Sequence, residues 1–242
     1  MHITLTGSHG FIGTHLRESL ESQGHVLDCW DNKIGRNANH IKLLPETDLV
    51  IHLSALADVR RSLTEPEIYW TQNVECSQNI FELCKAKGIK VLYASSSTAR
   101  EWWRNPYAMS KKVCEQMAPE ESCGMRFSTV WGKGARPTML IPRIAEKNLS
   151  YATSHTRDFI HVSDIVSAIN LIIQKGCVGV VEIGSGKGVA VDQLVAMNGI
   201  DVPIKEGSDA EQDENVLQSS SLRALGWRPQ VDVMEVDIKE YI

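Results

Sequence analysis

Two periods of apolar and polar positions alternate along the chain. Short aliphatic runs at 2–6, 25–30, 48–53, 90–95 and 125–130 have the length and composition of buried strands. Between them, 11–22, 66–87 and 107–117 repeat apolar residues at helical spacing, with Gly24 and Gly88 placed as C-terminal stops. Strand and helix in regular succession predict right-handed βαβ units, and hence a doubly wound α/β fold on a parallel sheet. Beyond Gly132 the rhythm loosens into a helix at 139–148, extended pieces at 151–162, an apolar helix at 163–174 and a strand at 178–183. The expected organisation is a core over 1–135 and a smaller lobe over 136–242, which returns the helix at 163–174 and the strand at 178–183 to the core. The polar, acidic stretch 206–214 reads as a solvated loop.

Composition narrows the class. The 242 residues are 43% hydrophobic with a net charge of −5, as in an ordinary folded domain with no basic field to gather nucleic acid. No apolar run approaches the ~20 residues that span a bilayer, and residues 1–7 enter a strand directly, without a basic or long apolar leader. The six cysteines show neither CxxC pairs nor Cys/His ligand spacing, so the expectation is reduced thiols, no metal and a cytoplasmic protein.

The first strand runs into Thr6-Gly7-Ser8-His9-Gly10-Phe11-Ile12-Gly13, which opens the first helix. Free N–H groups and the dipole at such a helix start favour a pyrophosphate, and glycine lets the backbone approach it, although glycines also serve ordinary tight turns. Asp31 ends the second strand, where a carboxylate accepts from both ribose hydroxyls of an adenosine and repels a 2′-phosphate. NAD is therefore favoured over NADP. Lys33 and Arg36 are close enough to reach a 2′-phosphate, or else are solvated loop cations. Farther on, Pro106 starts a helix in which Tyr107 and Lys111, at i and i+4, share a face. An ammonium about 5 Å from the phenol contributes roughly 3 kcal/mol, pulling its pKa towards neutrality and making Tyr107 a usable base.

These features together resemble the extended short-chain dehydrogenase/reductase superfamily, in particular its NAD-dependent nucleotide-sugar epimerases and dehydratases. The glycines at 7, 10 and 13 fit the TGxxGxxG form of that group. Further matching stretches are 48–55, Val59-Arg60-Arg61-Ser62 with Pro66, Asn73-Val74, 94–97, 125–132, 157–164 and Leu225-Gly226-Trp227-Arg228-Pro229. The resemblance implies a Rossmann sheet with a small C-terminal substrate-binding lobe. It makes Ser97 the catalytic hydroxyl beside Tyr107 and Lys111. It assigns cofactor contacts to Gly7, Gly10, Phe11, Ile12, Gly13, Asp31, Asn32, Leu53, Ala55, Asn73 and Val130, besides Tyr107 and Lys111. Thr129 and Arg136 become substrate-side groups and Arg157 a diphosphate clamp, with Ser97 also touching substrate. Plainer roles stand beside these: Asn73 as a cap, Thr129 as strand, Arg157 paired with Asp158 or Asp164. His52 and His161 read as packed structural histidines.

Dehydratases of this group place Asp-Glu directly after the catalytic hydroxyl, and the related decarboxylases a Glu two positions after it; here those positions hold Thr98 and Ala99. A 4-epimerase remains, closest in pattern to UDP-glucuronate 4-epimerases, with a nucleotide-sugar reductase or a non-catalytic nucleotide-binding protein as alternatives. The resemblance also implies a homodimer through the helices at 66–87 and 107–117. The chain departs from the group in the short stretch between Asp31 and Asp48, in the nine residues separating Ser97 from Tyr107, and in lacking a second arginine at 206–221.

Overall fold

The computed structural model describes residues 1–242, and the chain divides into two compact units. Met1–Arg126 and Ile172–Val181 form the first; Phe127–Leu171 and Glu182–Ile242 form the second. Residues 127–135, expected with the core, cluster with the second unit.

The first unit is built on β1 (His2–Thr6), α1 (Phe11–Ser22), β2 (Val26–Trp30), β3 (Leu49–His52), α2 (Val59–Thr64), α3 (Pro66–Tyr69), α4 (Cys76–Lys87), β4 (Lys90–Ser96), α5 (Pro106–Met117) and β5 (Cys123–Phe127). The central sheet runs β2-β1-β3-β4-β5 and is completed by β10 (Gly179–Ile183), which arrives from late in the sequence. β1 pairs in parallel with β2 and β3, and β3 with β4. Strand order therefore reverses between β1 and β3, the switch point whose C-terminal crevice takes ligands in doubly wound sheets. All four residues of β3 are buried, as a two-sided parallel strand requires. Val50, Ile80, Phe81, Val91 and Tyr93 pack in one cluster with Ala38, Ile41 and Leu44. Each large side chain buried there contributes roughly 1.5–3 kcal/mol. The short stretch after Asp31 forms no strand: two 3₁₀ turns, Asn32–Ile34 and Ala38–His40, cross it, and β2 is left as the sheet edge.

The helix expected over 66–87 is longer and interrupted. It begins with α2, breaks at Glu65, and passes through a π-helical turn at Trp70–Glu75 before α4. An i+5 turn carries no signature in a 3.6-residue period, so the pattern misses it.

The second unit follows with β6 (Thr129–Trp131), α6 (Leu140–Ala145), β7 (Ala152–Thr153), β8 (Thr156–Arg157), β9 (Phe159–His161), α7 (Val162–Lys175), β11 (Val189–Ala190), α8 (Val191–Met197), β12 (Ile204–Lys205), β13 (Glu214–Asn215) and α9 (Ser220–Ala224). The strand expected over 125–130 is two strands. Ser128 donates its N–H to the Ile183 carbonyl, and after this break β6 pairs with β9. Trp131, Ile144, Phe159, Leu194 and Val195 form the unit's core. Asp158, wholly buried, is its polar hub: the carboxylate accepts from Ser185 N–H and Oγ–H, Gly186 N–H and Leu217 N–H. Asp164 likewise takes the N–H groups of Gln230 and Val231. The stretch 206–214 is not simply solvated, because β13 pairs with β8 and Gln212 is 4% exposed. No helix is long and apolar enough to cross a membrane.

Candidate active site

The glycine turn folds onto its own backbone. Gly7 has φ +70°, and a Cβ there would lie 2.7 Å from Ser54 N; a Cβ at Gly13 would overlap the Gly7 carbonyl. Both positions therefore demand glycine. Gly10, the N-cap of α1, supplies no side-chain cap, which leaves the N–H groups of the first helical turn directed at the crevice. Phe11 and Ile12 are half-buried in that turn. Asp31 stands beside it: one carboxylate oxygen accepts from His9 N–H at 3.0 Å, the other from Lys33 N–H at 2.9 Å. A carboxylate keeps lone pairs beyond these two bonds. Next to Asp31, Asn32 opens the first 3₁₀ turn.

At the next strand end, Leu53 donates to the Thr6 carbonyl at 3.0 Å and the chain runs on through Ala55. Asn73, wholly buried in the π-helical turn, fixes this loop. Its Oδ1 accepts from Leu56 N–H at 2.8 Å, while Nδ2 donates to the Leu56 carbonyl at 3.0 Å and to Ser110 Oγ at 2.9 Å. It caps no helix. Its amide clamps Leu56 from both sides and so shapes the loop that carries Leu53 and Ala55.

β4 delivers Ser97, 4% exposed, and α5 delivers Tyr107 and Lys111, 8% and 4% exposed. Asn105 caps α5 by accepting from Ala108 N–H, with Pro106 at the first helical position. The Lys111 ammonium lies 6.0 Å from the Tyr107 ring centre and donates to the Ala94 carbonyl at 2.9 Å. Burial holds its pKa below the usual 10.5, with the thiols of Cys114 and Cys76 acting against that shift. Tyr69 packs edge-on against Tyr107, centroids 6.3 Å apart.

Glu115 is a residue the sequence reading missed. Its side chain is 2% exposed, accepts bidentately from Arg126 at 2.7 Å, and accepts from Ser95 Oγ at 2.6 Å. It thereby ties the helix of Tyr107 and Lys111 to the strand of Ser97. The signal was present, since 107, 111 and 115 fall at i, i+4 and i+8 on one helix face. His52 is buried between Thr6 Oγ1 at 2.7 Å and Ser77 Oγ at 3.0 Å, and burial drives its pKa down to about 3, with the Lys111 charge adding to the effect.

In the second unit Thr129 and Val130 line a small apolar hollow with Trp131, Met139, Leu140 and Phe159, while Arg136 is exposed on the connecting turn. Arg157 pairs with neither Asp158 nor Asp164: the first is held by Ser185, Gly186 and Leu217, the second by the N–H groups of Gln230 and Val231. Its guanidinium instead donates to the carbonyls of Thr156 at 3.0 Å and Gln212 at 2.7 Å, and to the Glu211 carboxylate at 3.0 Å. His161 bonds Ser163 Oγ and packs edge-on against Trp131.

A backbone cradle at the switch point, an acid beside it and a Ser/Tyr/Lys set at adjoining strand and helix ends make up a candidate dinucleotide site of the doubly wound class. Residues 3–184 match the model of the NAD dependent epimerase/dehydratase family, and the chain belongs to that family. It is 30% identical to Protein CapI of Staphylococcus aureus, over 72% of this chain and 70% of that one. It is 25% identical to a UDP-glucose 4-epimerase of Caenorhabditis elegans, over 98% and 95%. Among solved structures, MoeE5 in complex with UDP-glucuronic acid and NAD superposes with a TM-score of 0.80 at 27% identity, covering 97% of this chain and 96% of that one. NAD is the cofactor of the family, and the glycine turn, the uncapped start of α1 and Asp31 fit its pyrophosphate and adenosine ribose.

Proposed function

We propose that the chain is an NAD-dependent nucleotide-sugar 4-epimerase acting on a UDP-hexose or UDP-hexuronate. The carrying observation is the intact Ser97, Tyr107 and Lys111 set followed by Thr98 and Ala99, neither of which supplies the second acid that elimination or decarboxylation needs. Glu101, the acid next along the chain, is ion-paired to Arg104. The 4-epimerases among the relatives, one for UDP-glucose and one for UDP-glucuronate, support the same reading.

Bound NAD supplies a reversible hydride acceptor. The chain's own contribution is proton handling: Tyr107 takes the proton of the sugar 4-hydroxyl, and Ser97 hydrogen-bonds that hydroxyl. Lys111 favours the phenolate through its charge. The same tyrosine gives the proton back after the sugar has turned, so one base serves both directions and no redox equivalent is consumed. Val130 is assigned to the cofactor, and Thr129, Arg136 and Arg157 to the substrate, the last through a guanidinium fork suited to a diphosphate.

Incubation of the purified protein with UDP-glucose and with UDP-glucuronate, followed by NMR, is expected to give the 4-epimer without added reductant. Stoichiometric consumption of NADH or NADPH would replace this reading with a reductase. Absence of turnover on any nucleotide sugar would leave a nucleotide-binding protein.

A further inference from the structure

Arg36 stands close to the adenosine acid yet points away from it. Its backbone N–H donates to the Asp31 carbonyl at 3.1 Å, and the two residues form a β-bridge. A guanidinium at that position is well placed to hold a 2′-phosphate. The side chain instead folds back along β2. It pairs with Asp28 at 2.9 Å, donates to the Cys29 carbonyl at 2.9 Å and stacks 4.1 Å over the Trp30 ring.

Strand geometry gives this its meaning. Alternate residues of β2 point to opposite faces. Cys29 and Asp31 face the glycine turn, the one interacting with Ser8 and the other with His9. Asp28 and Trp30 occupy the other face, joined by a Trp30 Nε1–H bond to Asp28 at 2.6 Å. Pairing with Asp28 therefore carries the Arg36 charge through the edge of the sheet to the side away from Asp31. Lys33, the cation nearest Asp31 along the chain, is also engaged, its ammonium donating to the His9 carbonyl at 2.7 Å.

We infer that Asp28 determines cofactor selectivity: it withholds Arg36 from the ribose 2′ position, so that Asp31 faces the ribose without a competing cation. The inference rests on the NAD assignment and extends it to a residue that does not touch the cofactor. Because β2 is the sheet edge, no further strand covers Arg36 and its side chain has room to swing.

The test is calorimetric titration of NAD and NADP into the unmodified protein, Asp28→Asn, Arg36→Ala and the double variant. Asp28→Ser serves as a second replacement in case the first folds poorly. Removing the Asp28 charge is expected to shift the NADP-to-NAD affinity ratio about 3- to 10-fold towards NADP, the scale of a part-exposed pair plus a new phosphate contact, with NAD affinity within about twofold. Arg36→Ala alone should leave the ratio unchanged, and in the double variant the gain should vanish. An unchanged ratio in both Asp28 variants, a gain that survives Arg36→Ala, or weaker NADP binding in Arg36→Ala alone would each overturn the inference. An unmodified protein that binds neither nucleotide overturns the NAD assignment itself, and the inference with it.

Discussion

Lys111 holds a charge in a place that discourages it, and that tension sets what Tyr107 is able to do. The ammonium keeps one protein acceptor, the Ala94 carbonyl, and acts on the phenol across the helix face. Tyr107→Phe is expected to lower turnover by roughly 10² to 10⁴ while leaving NAD affinity nearly intact, since only the proton transfer is lost. Lys111→Ala should slow the reaction and move the rise of activity to higher pH, read from a pH–rate profile, because the phenolate loses its cationic neighbour. His52 sets a different pH dependence, that of stability. With a folded pKa of about 3 against 6.5 for the free side chain, it stays neutral in the native state while the unfolded state takes up a proton. Native stability therefore falls as pH drops from 6.5 towards 3, by up to about 5 kcal/mol from this one group. Urea unfolding across that range should show a shallower loss in His52→Gln than in the unmodified protein. An identical slope would assign the acid sensitivity to other groups.

Arg157 shows how an element can hold a candidate ligand group in reserve. The guanidinium on β8 is latched to the segment entering β13 by the Glu211 carboxylate and the Gln212 carbonyl. A diphosphate approaching it competes with Glu211 for the fork. Glu211→Gln is thus expected to tighten UDP binding about 3- to 10-fold by calorimetry, the pair being largely shielded from solvent. Weaker binding would make Glu211 a support of the site instead of a competitor. This latch was not legible in the sequence, because the partners lie 54 residues apart and nothing local marks Glu211 among its acidic neighbours. The same limit hid the ends of Asp158 and Asp164, which accept mainly from backbone N–H groups that carry no residue signature. By contrast, the glycine turn, Asp31 and the Pro106-led helix were legible because steric, capping and periodic constraints act within a few residues. Glu115 lay between these cases: its helix face was readable, but its burial against Arg126 and Ser95 depended on docking to β4.

The first unit is discontinuous. Its sheet runs from β2 to β5 within the first 127 residues, but β10 comes only at Gly179–Ile183, after the chain has left to build the first part of the second unit. A fragment ending at Arg126 would present β5 as an unprotected strand edge, the kind of surface that recruits other chains. We expect residues 1–126 expressed alone to be aggregated or to show no cooperative unfolding by circular dichroism, and the full chain to unfold cooperatively; a soluble, cooperative fragment would contradict this. The same break has a consequence for synthesis on the ribosome. The amino-terminal unit cannot finish folding when its own first stretch emerges; it must wait for about fifty more residues to be translated, at roughly 5–20 residues per second. For those seconds the nascent chain carries an incomplete sheet, and the growing polypeptide behind it, not a neighbouring molecule, has to supply the missing strand.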